Sequence, residues 1–150
     1  MNKLENRKKQ IQKKVDFMVN LCDSRNPFKI AELLGIRCEF VEMKDVEAFS
    51  LKSEQDGNGV IFIKNSMGSF SQRILCAHEL GHLILHEEEN NLFCSNKYNT
   101  EKEAEANYFV TLLLPSIMLV NPIQLSDSEL NEYIHDKVEL CKRLELPYYA

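Results

Sequence analysis

The sequence lacks the features that would direct it into a membrane or an oxidising compartment. No apolar run is long enough to span a bilayer. The opening stretch, residues 1–9, has no apolar segment of the kind that a secretion signal needs. The five cysteines are odd in number and scattered, which argues against a disulfide framework. These absences predict a protein of the reducing cytoplasm that contacts no membrane.

Two further absences exclude other classes of protein. No C-x-x-C pair is present, which disfavours a zinc site built from cysteines. The net charge of -5 disfavours general nucleic-acid binding by the whole chain. No internal repeat or low-complexity segment is visible. With 150 residues, 44% of them hydrophobic and 27% charged, the chain is expected to form one globular domain over residues 1–150.

The most informative stretch runs from Ser71 to His86. It contains the pattern H-E-x-x-H at His78, Glu79 and His82, and its apolar residues recur at helical spacing. Residues four apart share one face of a helix, so the two imidazoles can face one metal ion. Glu79 lies beside this pair, where a carboxylate can reach a water on the metal. The pattern predicts a hydrolytic metal site with His78 and His82 as ligands and Glu79 as the catalytic base.

An exposed helix that carries two solvated histidines is the alternative to a metal site. The residues around the motif are too apolar for that, and they are Ile74, Leu75, Leu80, Leu83, Ile84 and Leu85. A buried histidine needs a polar partner. Gly81 costs about 1 kcal/mol relative to alanine inside a helix, which predicts close approach by a neighbouring backbone. A buried metal site is therefore favoured.

The remaining sequence predicts an α+β fold in which a small antiparallel sheet packs on helices. Helices are expected at 4–22, 27–34, 101–114, from Ser126 or Ser128, and at 136–144. Strands are expected at 37–43, 48–52 and 60–64, with a hairpin turn at 56–59. We expect strand 60–64 to be an edge strand to which an extended substrate adds. The N-terminal helix (1–22) and a C-terminal helical extension (126–150) flank the centre of the domain.

One face of the N-terminal helix is strongly basic. Its residues are Lys3, Arg7, Lys8, Lys9, Lys13 and Lys14. A solvated face is the simplest interpretation, and contact with an acidic partner or nucleic acid is the alternative.

A catalytic zinc usually has three protein ligands and one water, so one more ligand is required. The metzincin pattern would need Gly at position 85 and His at position 88, but the chain has Leu85 and Glu88. His86 lies about 12 Å along the helix axis from His78, too far for the three histidines to converge. We interpret His86 as a helix-end or supporting residue.

The helix at 101–114 is the remaining source of a third ligand. Its buried face is defined by Ala106, Val110 and Leu113. Glu103 lies on that face and Glu105 on another, and a carboxylate on a buried face needs a cation or a hydrogen-bond partner. Glu103 is therefore the predicted third ligand, with Glu105 as the second choice and Asn107 as a supporting residue. A capping role at the start of the helix is the alternative for Glu103.

Two blocks of the sequence together resemble the ImmA/IrrE family of metallopeptidases. Residues 76–86 read CAHELGHLILH, similar to the family pattern A-H-E-l-G-H-l-l-L-H. Residues 103–115 read EAEANYFVTLLLP, similar to E-x-E-A-N-x-F-A-x-x-L-L-x-P, with Val110 in place of the usual alanine and Pro115 one position earlier than the proline of the pattern. Residues 26–36 and the strand at 60–64 also resemble the family, so the resemblance extends over roughly residues 15–120.

The resemblance implies a compact, gluzincin-like (zincin-like) α+β domain. It implies that His78, His82 and Glu103 bind zinc and that Glu79 is the general base. Members of the family are intracellular, are often carried by prophages or conjugative elements, and cleave a partner transcriptional repressor. This chain has no N-terminal helix-turn-helix, so we expect a stand-alone peptidase domain whose helix-turn-helix repressor is a separate protein. The predicted function is a cytoplasmic zinc endopeptidase that cleaves this repressor.

Two other functions are compatible with parts of the sequence. The first is an anti-repressor that uses the same domain to bind a regulator without cutting it. The second is a direct DNA-binding regulator that uses the basic N-terminal helix and the C-terminal helices. The presence of Glu79 favours cleavage, because a purely structural metal site needs no base. The acidic net charge disfavours direct DNA binding.

Overall fold

The computed structural model describes residues 2–52, 58–86, 100–118 and 121–144. The helices are α1 (Lys3–Cys22), α2 (Pro27–Leu33), α3 (Ser69–Leu85), α4 (Thr100–Leu113) and α5 (Asp127–Leu144). The strands are β1 (Arg37–Val41), β2 (Ala48–Lys52) and β3 (Gly59–Lys64). Short 3-10 helices lie at Pro115–Ile117 and Pro122–Gln124. The α+β class predicted from the sequence is confirmed.

The sheet is mixed, which corrects the prediction of a wholly antiparallel sheet. The strand order is β1-β3-β2, with β2 antiparallel to β3 and β1 parallel to β3. The reason is the placement of the second strand at an edge, which makes the first and third strands neighbours that run the same way. The expected hairpin pairing of β2 with β3 is present, although residues 53–57 of the connection lie outside the described residues.

The position of β3 corrects a second prediction. Strand 60–64 was expected at an edge of the sheet, but β3 is the central strand and pairs on both sides. Its residues Ile61 and Ile63 are fully buried, as the centre of a sheet requires. An extended substrate therefore cannot add to β3, and the edges of the described sheet are β1 and β2.

Helix α1 packs through an apolar stripe, and its basic face is only partly solvated. Asn2 caps the helix by accepting a hydrogen bond from the backbone of Glu5 at 2.8 Å. Lys8 is 5% exposed and donates to the carbonyls of Pro122, Ile123 and Leu125 at 3.2–3.3 Å. The interpretation of a solvated basic face is wrong for this lysine, because its ammonium donates hydrogen bonds to carbonyls in and next to the 3-10 helix before α5.

Helix α3 lies at the centre of the fold and contacts three helices and two strands. It packs on α2, α4, α5, β2 and β3. A methyl group at Gly81 would lie 3.1 Å from the Cβ and ring atoms of Phe109. The close approach predicted at Gly81 is present, but the neighbour is the buried Phe109 side chain of α4 and not a backbone. Gly81 thereby allows the two helices that carry the site to pack closely.

Helix α5 is continuous, which corrects the prediction of two separate C-terminal helices. Its start is fixed by a reciprocal pair in which Ser126 Oγ accepts from the Glu129 amide and Glu129 Oε1 accepts from the Ser126 amide. Leu130, Ile134 and Val138 then form one unbroken buried stripe across the predicted gap. Of the predicted extension, residues 145–150 lie outside the described residues. Within the described ranges, no helix has the length and apolar character needed to cross a membrane.

Candidate metal centre

The two histidines of the motif and one glutamate of α4 converge on a common point. Glu103 Oε2 lies 3.0 Å from His78 Nε2, and Glu103 Oε1 lies 3.0 Å from His82 Nε2. The two Nε2 atoms are 3.2 Å apart. One ligand atom from each residue falls within 4.8 Å of the others. In the part of the chain that the structure describes, this is the one such group of potential metal ligands.

The helix geometry explains why these residues meet. His78 and His82 are four residues apart on α3, so their side chains share one face of the helix. Glu103 lies in the first turn of α4, which packs against that face. Its two oxygens bond the two imidazoles, so its carboxylate serves this cluster and not a helix cap. Glu105, the second choice as a ligand, is not one of the three converging residues and pairs with Arg7.

The charges of the cluster are unequal. Burial lowers the pKa of His78, but hydrogen bonding to Glu103 and the charges of Glu79 and Glu103 raise it to about 9. Burial keeps the pKa of His82 below its ordinary value. Burial raises the pKa of Glu103, yet the hydrogen bonds from both histidines hold it well below its usual range. Without a metal at neutral pH, His78 is therefore a cation, His82 is neutral and Glu103 is an anion.

The outer nitrogen of His78 contacts one side-chain amide, which a second amide supports. His78 Nδ1 lies 2.6 Å from Oδ1 of Asn107, which is buried on α4. Asn107 Nδ2 donates to Asn131 Oδ1 on α5 at 2.9 Å, and Asn131 Nδ2 donates to the carbonyl of Thr100 at 3.4 Å. We call Asn107 and Asn131 the Asn107 network. Because the Asn107 amide group is a donor to Asn131, its oxygen is the atom that accepts from His78.

The outer nitrogen of His82 is held by a charged set of residues. His82 Nδ1 lies 3.0 Å from His86 Nδ1. His86 Nε2 lies 3.7 Å from Glu105 Oε2, which pairs with Arg7 Nη2 at 2.7 Å. We call Arg7, Glu105 and His86 the Arg7 network. The placement of His86 agrees with its interpretation as a supporting residue at the end of the helix.

Glu79 is held beside the cluster by a residue that the sequence did not single out. Glu79 is 5% exposed, and its Oε1 accepts a hydrogen bond at 2.9 Å from Oγ of Ser50, which is fully buried on β2. Ser50 lies opposite Ile61 in the register of the sheet, on the face that packs against α3. A lone hydroxyl at an inward-facing position of a strand is the signal that could have identified it, because a buried hydroxyl needs a partner.

The donor set is suited to a metal ion. Two imidazole nitrogens and one carboxylate oxygen converge, and both histidines turn their other nitrogen towards a polar partner. Metal-binding histidines have this arrangement, because the outer bond fixes the ring and its tautomer. Imidazole and carboxylate together suit divalent metals. The residues present could therefore hold a metal ion between α3 and α4.

Comparison with known proteins gives one match. A family model described as an IrrE N-terminal-like domain matches residues 31–150. The matched part contains α3, α4 and the whole cluster, whereas α1 lies outside it. No curated protein and no solved structure matches the chain.

Proposed function

The chain belongs to the peptidase M78 family, whose domain is IrrE N-terminal-like, and from this premise we propose that it is a zinc-dependent endopeptidase. In this proposal His78, His82 and Glu103 are the zinc ligands, and Glu79 is the general base. The observation that carries the proposal is the convergence of these three ligand groups beside a buried glutamate. A family of peptidases and a cluster suited to a metal point to the same chemistry.

The donor set supports zinc in particular. Two histidines and one glutamate form a recognised set of catalytic zinc ligands, which leaves one coordination position open. When bound, zinc supplies Lewis-acid activation of a water and of the scissile carbonyl. Glu103 contributes a negative charge that offsets part of the charge of the ion. The two histidines must both be neutral to bind, so His78 gives up its proton at Nε2.

Glu79 has the position that a general base requires. It accepts the proton of the attacking water and returns it to the amine that leaves. Ser50 donates a hydrogen bond to Oε1, so the other carboxylate oxygen, Oε2, is the one that carries the proton. Low exposure restricts competing water around this carboxylate and strengthens its interactions.

Strand β2 is the part of the sheet best placed to bind a substrate. It lies at an edge of the described sheet and carries Ser50, which contacts Glu79. An extended peptide that pairs with the outer edge of β2 would run beside the proposed base. This arrangement replaces the expectation that strand 60–64 receives the substrate.

The substrate we propose is a separate helix-turn-helix transcriptional repressor of a phage or mobile element, cleaved in the cytoplasm. Support comes from the resemblance of residues 76–86 and 103–115 to the ImmA/IrrE metallopeptidases. We further propose that residues 1–150 act as one metallopeptidase domain. The packing of α1 and α5 on α4 supports this, because both terminal helices contact a helix of the site.

The test is to find a helix-turn-helix repressor gene next to the gene of this protein and to co-express the two proteins. Glu79→Gln preserves the shape of the side chain and removes its basicity, so cleavage should fall by roughly 100- to 10,000-fold. Glu39→Gln is the matched control, since Glu39 is exposed on β1 at the other edge of the sheet. Cleavage is measured as the rate of appearance of repressor fragments.

Equal cleavage by wild type and Glu79→Gln would remove the proposed mechanism. If Glu79→Gln relieves repression as well as wild type while the repressor stays intact, the protein is an anti-repressor that acts by binding.

A further inference from the structure

We propose that Arg7 of α1 positions the metal ligand His82 by acting through Glu105 and His86. This inference rests on the metal site proposed above and extends it to a helix outside the residues that the family model matches. Arg7, Glu105 and His86 are positioning residues in this account, because none of them belongs to the cluster of ligand atoms.

The contacts lead from α1 to the cluster, and the step from Glu105 to His86 is an electrostatic contact and not a hydrogen bond. Arg7 Nη2 lies 2.7 Å from Glu105 Oε2, and the same oxygen lies 3.7 Å from His86 Nε2. His86 Nδ1 lies 3.0 Å from His82 Nδ1, and His82 Nε2 lies among the ligand atoms of the cluster. The path is well shielded from water, since the side chains of His86 and His82 are 7% and 1% exposed.

The chemistry of the groups dictates which atom carries each proton. The Glu105 carboxylate is negatively charged and lies 3.7 Å from His86 Nε2, so its charge favours a proton on that nitrogen. A neutral His86 then has a lone pair on Nδ1, which accepts from His82 Nδ1. In this tautomer the lone pair of His82 Nε2 is available to a metal, whereas Glu103 Oε1, 3.0 Å from Nε2, favours a proton on Nε2 as long as no metal is bound. By keeping Glu105 ionised and oriented, Arg7 therefore shifts the tautomer balance of His82 towards the metal-binding form through two intermediate residues.

The chain contains a matched control for this path. Arg7 also pairs through Nη1 with Glu101, one turn earlier on α4. The Glu101 side chain is 59% exposed, whereas that of Glu105 is 20% exposed, and only the Glu105 carboxylate is recorded beside His86. Substitution of either glutamate removes one salt bridge from the same arginine. A purely structural role of Arg7 in fastening α1 would make the two substitutions similar.

The experiment compares Glu105→Gln and Glu101→Gln in the full chain. The zinc dissociation constant is measured by competition with a chromogenic chelator. The tautomer of His82 is read by ¹⁵N NMR of histidine-labelled protein. We expect Glu105→Gln to weaken zinc binding by roughly 10- to 100-fold and to alter the His82 Nδ1–H signal. Glu101→Gln should change the constant by less than about twofold.

Arg7→Lys protects the test against misfolding, because lysine keeps the charge and can still pair with α4. It should weaken zinc binding less than Glu105→Gln does, since an ammonium lacks the fork that holds a carboxylate in one orientation. Equal zinc affinity and an unchanged His82 tautomer in Glu105→Gln and Glu101→Gln would overturn the inference. Failure of the wild-type protein to bind zinc would overturn the proposed metal site itself, and this inference with it.

Discussion

The surroundings of His78 and those of His82 differ, although the two residues are one turn apart on the same helix. The side chain of His78 is 13% exposed and that of His82 is 1% exposed. The pKa of His78 is raised to about 9, whereas the pKa of His82 is lowered by burial. His78 contacts the amide of Asn107 on α4, which Asn131 on α5 supports. His82 contacts His86, which lies beside the ion pair between Arg7 of α1 and Glu105 of α4.

The two histidines are equivalent in the motif, but they need different changes before each can bind a metal. His82 is already neutral, so the Arg7 network has only to shift it from the tautomer that donates to Glu103 towards the one that can bind a metal. His78 forms an ion pair with Glu103 and must lose a proton before it can bind. The Asn107 network accepts the Nδ1–H of His78 in both states, so the ring need not turn when the metal arrives.

The pH dependence of the metal-free protein gives the largest expected effect of this comparison. His78 has a pKa of about 9 in the folded chain against an ordinary 6.5. Its contribution to stability is therefore complete below pH 6.5 and is lost as the pH rises through 9, a loss of about 3 kcal/mol. Urea unfolding in the presence of a chelator measures it, with Glu103→Gln as the control that lacks the ion pair.

The difference in unfolding free energy between wild type and Glu103→Gln should thus shrink between pH 6.5 and pH 9. Parallel curves over this range would mean that His78 is not the cation of the metal-free cluster.

Truncation of the Asn107 network should weaken metal binding, and the change in free energy should be smaller than the pH effect on stability. Asn107→Ala removes the acceptor of His78 Nδ1, and we expect the zinc dissociation constant to rise by roughly 10- to 100-fold. Asn131→Ala leaves that acceptor in place and removes only the bond behind it, so its effect should be a few-fold. Isothermal titration with zinc measures both constants. If Asn131→Ala costs as much as Asn107→Ala, the two amides act through packing and not through the orientation of His78.

The parts of the site that follow from helical spacing were predictable from the sequence. The four-residue spacing of His78 and His82 puts them on one face of a helix, with Glu79 beside them. The apolar face of the second helix predicts the position of Glu103. The helices α1 and α4 and the strand β2 also lie close to their predicted bounds. Local patterns are sufficient in these cases, because each depends on residues a few positions apart.

The strand order and the supporting residues could not be predicted in the same way. The central position of β3 depends on which strand pairs with which across the sheet, and alternation along one strand does not contain that information. Arg7, Ser50 and Asn131 come from elements distant in sequence from the residues they contact. In the sequence, Arg7 is one of six basic residues on a helix, and nothing local distinguishes it from its neighbours.

The most direct test of the account is X-ray absorption spectroscopy of the zinc-loaded protein. If His78, His82 and Glu103 hold the metal, protein loaded with one zinc per chain will give a spectrum with two imidazoles and only nitrogen or oxygen ligands at about 2.0–2.2 Å. Glu103→Gln should lose the third protein ligand and keep both imidazoles. A sulfur ligand at about 2.3 Å, or a spectrum without imidazole scattering, would contradict the proposed centre.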